Sequence, residues 1–149
     1  MREVIIGALI GGIIGFFSAF ALWKCQIKYD KKNLARGFDI EISSLESKIK
    51  LYARAFDTPG PGAGLVKIEQ TLCNNGLFFD CRKEISSFDR DLSDTLFEFY
   101  TYLLTAERDR KIDSSDIYFK QANDEMKSSI KKACEILPKL KELLKHEYE

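Results

Sequence analysis

A single histidine stands in the 149 residues, and its isolation removes most familiar hydrolytic and metal chemistry. His146 has no second His to complete an H-E-x-x-H zinc motif, and a carboxylate di-iron bundle needs two Glu-x-x-His segments. Ser-His-Asp and Cys-His constellations have only this one imidazole to draw on. A surplus of either charge is absent too, because 23 Lys and Arg face 23 Asp and Glu. Proteins held to nucleic acid by bulk electrostatics carry a basic excess or patch, so no nucleic-acid partner is expected. Only three prolines occur, and Pro59 and Pro61 fall in one short stretch, which leaves long segments without a helix breaker. Sustained apolar/polar alternation of the strand type is missing throughout, and an all-α fold is the expectation.

Cysteine is present but unpatterned. Cys25, Cys73, Cys81 and Cys134 form no pair at zinc-ligand spacing, and in a reducing compartment they are expected as thiols. The glycine-rich Gly60-Pro61-Gly62-Ala63-Gly64 lacks the GK[ST] of a phosphate-binding loop, and Pro61 removes one N–H that such a cradle uses. No cofactor, metal or small-molecule substrate is therefore inferred, and no enzymatic activity is expected.

What the chain does have is one long apolar run. Val4–Trp23 reads VIIGALIGGIIGFFSAFALW, with no charge and Ser18 as its one hydroxyl. At 1.5 Å per residue it spans about 30 Å, the thickness of a bilayer's hydrocarbon. Trp23 and Lys24 close it as an interfacial aromatic and a snorkelling cation. Ala19-Phe20-Ala21 resembles a signal-peptide cleavage site, but the run exceeds a signal's apolar region and Met1-Arg2-Glu3 is barely basic. We read residues 4–23 as a single transmembrane helix.

Lys and Arg are unequally divided across it. Arg2 precedes the run, whereas Lys24, Lys28, Lys31, Lys32 and Arg36 come after it, which predicts a cytoplasmic C-terminal domain. Residues 24–36 are then a basic juxtamembrane segment continuing the helix. Its five cations are candidates for contact with anionic lipid. Within the run, Gly7, Gly11 and Gly15 recur every four residues and Ala19 extends the row. Such a face lets another helix approach closely, so a second transmembrane helix, from a copy or another protein, is the expected partner besides the bilayer itself.

Residues 37–149 are predicted to form a cytosolic helical bundle. Leu34, Phe38, Ile42, Leu45, Ile49, Tyr52 and Phe56 repeat at near-heptad spacing, continuing one rod from about residue 4 to 56 with Gly37 as its one plausible break. A Gly/Pro loop at 57–64 ends it, and a short helix is expected over 65–74. A second long helix, with Asp80 as candidate N-cap, carries Ile85, Phe88, Leu92, Leu96, Phe99, Leu103 and Ala106, and its stripe is widened by Phe97, Tyr100 and Leu104. A third, starting near Asp113 or Ser114, carries Ile117, Ala122, Met126, Ile130, Ala133, Leu137, Leu140 and Leu144, with a kink or last straight turn at Pro138. Short connections predict an antiparallel bundle of about three long helices plus one short helix.

The acids Asp89, Asp91, Asp94 and Glu98 read as a solvated face beside Arg82, Lys83 and Arg90. The function expected is a non-catalytic, single-pass membrane protein presenting a helical interaction domain, as a homo-oligomer or accessory subunit. A glycine-zipper pore or membrane-perturbing effector is the alternative, although Ser18 alone would line its polar face.

Overall fold

The computed structural model describes the backbone of residues 2–57, 76–112 and 117–149, and the side chains of these from Phe17 onward. Helices and no strands occur among the described residues. The first helix, α1 (Arg2–Asp57), is 56 residues long, about 84 Å at the α-helical rise. It passes through Gly37 without a break. Of the predicted loop at 57–64, Asp57 is instead the last residue of α1, and the remainder, with the predicted helix at 65–74, lies outside the described residues.

The region from Leu77 to Arg110 differs from the predicted second helix. Asp80 is the last residue of a four-residue helix, α2 (Leu77–Asp80), and a 3-10 turn over Glu84–Ser87 comes next. The long helix α3 (Arg90–Arg110) starts nine residues later than expected, with Asp89 extended at its N-cap. Serines account for the interruption. Ser86 and Ser87 hydroxyls donate to the Lys83 and Glu84 carbonyls at 2.7 and 2.6 Å, and Ser93 donates to the Ile85 carbonyl at 2.8 Å. These bonds offer the backbone an alternative to a continuous helix. Ile85 and Phe88 are buried all the same, but from the turn rather than from α3.

The last helix, α4 (Phe119–Tyr148), runs on through Pro138 for ten more residues. Leu137, Leu140 and Leu144 are buried on both sides of the proline, so packing maintains the helix across the missing N–H donor. Ile117, expected in this core stripe, precedes α4 and is 87% exposed. The stripe begins at Ala122 instead.

Ion pairs and hydrogen bonds fix the direction of each helix. Lys141 meets Glu46 at 2.8 Å and Lys131 meets Asp57 at 2.7 Å, so α4 is antiparallel to α1. Lys139 meets Asp91 at 2.8 Å and Arg108 meets Glu125 at 3.3 Å, so α4 is antiparallel to α3 as well. The two helices α1 and α3 are therefore parallel, which corrects the fully antiparallel arrangement. Asp57 and Asp89 therefore lie at opposite ends of the bundle, Asp57 beside Lys131 and Asp89 beside Lys31.

The core lies between these three helices. Phe38, Ile42, Ile49, Leu96, Phe99, Tyr100, Leu103, Ile130 and Leu140 have no exposed surface. Leu34, Leu45 and Phe97 pack on it half-buried, and Leu104 is exposed. Phe78 of α2 fills the gap between α1 and α3, stacking on Tyr100 with ring centroids 4.2 Å apart. Glu41 ties the same junction together. Its carboxylate accepts the Tyr100 hydroxyl at 2.7 Å and the Leu77 backbone N–H at 2.7 Å, linking α1, α2 and α3.

Two glycines permit this approach. A Cβ at Gly76 would meet the Glu41 carboxylate at 2.5 Å, and one at Gly37 would meet Leu77 Cδ2 at 2.9 Å. Gly37 thus marks where α2 presses on α1, not a hinge in the rod.

Among the described residues, no helix is long and apolar enough to cross a membrane. Of the Val4–Trp23 run, residues 4–16 fall outside the described side chains. The remainder, Phe17–Trp23, makes about 10 Å of helix. Support for a spanning helix comes from the sequence alone.

Candidate functional site

Residues 17–30 of α1 are exposed without exception, ahead of the bundle. Phe17, Leu22, Trp23 and Tyr29 are 64, 71, 57 and 67% exposed, which makes this the most apolar uncovered surface of the described chain. Ala19 lies in this rod and is exposed. Gly7, Gly11 and Gly15, the other members of the predicted packing face, lie outside the described side chains.

The five basic juxtamembrane residues are divided by the fold. Lys24 and Lys28 are exposed, with the Lys24 ammonium 5.2 Å from the centre of the Phe20 ring. The other three are engaged by the last turn of α4. Lys31 pairs with Glu147 at 2.8 Å and stands 3.8 Å from Asp89. Lys32 donates to the backbone carbonyls of Tyr148 and Glu149, each at 3.3 Å. Arg36 lies over the Tyr148 ring, 5.6 Å from its centre, and the Tyr148 hydroxyl donates to Asp39 at 3.0 Å. That hydrogen bond to a carboxylate raises the Tyr148 phenol above its ordinary value.

The physical reason for this grouping is simple. The end of α4 presents unsatisfied carbonyls and the negative pole of its dipole, and cations are favourable there. Solvent-exposed pairs of this kind contribute about 0.2–1 kcal/mol each, and the Lys31–Glu147 pair, with side chains 23 and 15% exposed, is more shielded than those. A cation held near an anionic membrane gains about 1 kcal/mol. Sequence spacing groups all five cations on one segment, but it contains no sign that α4 returns to three of them.

The rest of the described chain offers little reactive geometry. Asp89, Asp91, Asp94 and Glu98 are exposed, and each has a basic or hydroxyl neighbour: Lys31, Lys139, Arg90 and Tyr102 respectively. Burial raises the Cys81 and Cys134 thiols above their ordinary value, away from thiolate reactivity. Cys25, Cys81 and Cys134 are not in disulfides, and Cys73 is outside the described residues. His146 is exposed on α4.

Sequence reasoning missed a charged knot at the far end of the bundle. Glu107 and Asp109 are 6 and 4% exposed on the last turn of α3, paired with Arg110 and Arg108. The alternating run Glu107-Arg108-Asp109-Arg110-Lys111 was its signal. A recess of about 200 Å³ lies beside it, lined by Arg108, Asp109, Ile112, Tyr118, Gln121, Ala122 and Glu125. Arg108 bonds both Asp109 Oδ1 and Glu125, so the facing charges largely neutralise each other. Among the described residues, no group of His, Cys, Asp and Glu is placed to hold a metal ion.

Comparison with protein-family models, curated proteins and solved structures finds no match for the chain.

Proposed function

We propose that the chain is a non-catalytic, single-pass membrane protein that presents its helical bundle at the cytoplasmic face. Val4–Trp23 is the anchor, and the row Gly7, Gly11, Gly15 and Ala19 packs against a second transmembrane helix. The observation that carries this reading is the continuity of α1. One helix extends from the apolar run into the bundle core, with its large side chains uncovered from Phe17 to Trp23 and one face, from Ala35 to Phe56, buried. An uncovered surface of that composition needs a solvent other than water.

Lys24 and Lys28 are the cations best placed to meet lipid headgroups, since the bundle does not cover them. The bundle itself is the interaction domain, and its partner is a protein of the same membrane or a second copy.

Trp23, the one tryptophan, makes the anchor testable. The full chain should float with phosphatidylcholine vesicles, and Trp23 fluorescence should be quenched most by lipids brominated near the headgroup. Flotation lost at high salt would indicate surface adsorption in place of insertion. Replacing Gly11 with Ile, against Ile10 with Leu as control, should disrupt crosslinking to the partner helix without loss of insertion. Conductance of reconstituted vesicles would move the reading to a pore.

A further inference from the structure

We propose that the last turn of α4 and an anionic membrane surface compete for Lys31 and Lys32, so that bilayer charge releases residues 147–149 from α1. This inference rests on Val4–Trp23 being a membrane anchor.

The placement of the charges argues for it. Counting from Lys24, Lys31 and Lys32 lie about 10–12 Å further along the helix, little more than one Debye length at physiological salt. Side chains on a helix slant toward its N-terminus, which here is the membrane side, and this shortens the gap. Glu147 and Glu149 sit at the same level as these lysines, since Lys31 pairs with Glu147 and Lys32 reaches the Glu149 carbonyl. An anionic surface therefore acts twice. It attracts Lys31 and Lys32, and it repels Glu147, whose carboxylate occupies Lys31, and Glu149, whose backbone carbonyl holds Lys32 while its carboxylate pairs with Lys145.

The bonds at stake are replaceable. Lys31 and Glu147 side chains are 23 and 15% exposed, and Lys32 makes long hydrogen bonds to carbonyls that water can take over. Of the residues they hold, only Tyr148 touches the core, as a half-buried ring at its edge. Leu144, one turn earlier, is fully buried and limits how far the release can spread. The released unit is the last turn, with Tyr148 leaving Asp39 and the Arg36 guanidinium. Both Arg36 and Asp39 then become available on the membrane-proximal end of the bundle.

The test uses the full chain in phosphatidylcholine vesicles with and without phosphatidylserine, at about 0.15 M salt. Hydrogen exchange at the amides of residues 145–148 should be about threefold or more faster with phosphatidylserine, while the amides of Leu96–Leu103 stay protected. The double variant Lys31→Gln, Lys32→Gln should exchange quickly in both lipids and lose the difference. Equal exchange of the parent chain in the two lipids overturns the competition, and so does a change that extends through α3. A similar acceleration by soluble glycerophosphoserine overturns it in favour of a site for small anions. Flotation with neutral vesicles is read separately, so failure of the anchor, which removes this inference with it, is distinguished from failure of the competition alone.

Discussion

The two halves of α1 share one backbone conformation and differ in everything around it. From Phe17 to Asp30 every residue is exposed, whereas between Ala35 and Phe56 six residues are buried at helical spacing: Ala35, Phe38, Ile42, Ile49, Tyr52 and Phe56. The first half begins with a segment, Phe17–Trp23, that is apolar around its circumference, and the second half is amphipathic. An amphipathic stripe is covered by one or two neighbouring helices, but an all-round apolar surface is not. Helix formation alone thus says little about where a segment lives. The distribution of apolar side chains around the axis decides it.

The largest effect expected on either side of this comparison is the loss of a core ring. Phe99→Ala should destabilise the bundle by about 3–5 kcal/mol, because Phe99 is fully buried. Phe20→Ala, in the uncovered half, should leave the same transition within about 0.5 kcal/mol. Denaturant unfolding of the full chain in nonionic micelles, monitored by circular dichroism, checks both. A comparable loss in the two variants would make α1 one cooperative unit and erase the distinction.

A smaller effect is expected where α2 presses on α1. Gly76→Ala pushes the Glu41 carboxylate out of place and should cost about 2 kcal/mol, since both of its hydrogen bonds weaken together. Tyr100→Phe removes one of them and should cost about 1–1.5 kcal/mol. Combined with Glu41→Gln in a double-mutant cycle, the two losses should be clearly non-additive. Additive losses would mean that Glu41 does not link the three helices.

The smallest effect is electrostatic. Hydrogen bonds from Lys141 and then Lys50 hold the Glu46 carboxyl below its ordinary 4.5. A folded-state pKa lowered in this way adds stability above the unfolded value, and the contribution disappears as pH falls through the folded value. Glu46→Gln should accordingly flatten the acid side of the stability profile below pH 4.5. Its effect at neutral pH should stay below about 1 kcal/mol, because Lys141 is 37% exposed and the pair is screened. Removing a charge from the uncovered half, with Lys28→Gln, should leave bundle stability unaltered.

Much of the bundle was legible in the sequence. The heptad-like row of α1 predicts its buried face, with Leu34 and Leu45 ending half-buried. Leu92, Leu96, Phe99, Leu103 and Ala106 of α3, and Ala122 through Leu144 of α4, were predicted by the same periodicity and are buried. Boundaries were less legible. Serine hydroxyls that bond back to the chain between Lys83 and Ser93 delay α3, and apolar spacing carries no record of such bonds. Ile117 matches the period of α4 but precedes the helix, so its side chain faces water.

The sequence by itself determined that the chain is helical, that an apolar run precedes an amphipathic domain, and which face of each long helix is covered. These properties arise from local propensity and from periodicity, which neighbouring residues suffice to specify. Only the tertiary structure decided that α1 and α3 are parallel, that Glu41 joins three elements, and that Lys31, Lys32 and Arg36 are occupied while Lys24 and Lys28 are not. Those outcomes depend on residues far apart in the chain meeting across the bundle, 36 and 59 positions for Glu41 with Leu77 and Tyr100 and 116 for Lys32 with Tyr148. A pairing at that separation is set by how whole helices pack, because side-chain charge is felt only within about a Debye length and no short window of sequence contains both partners.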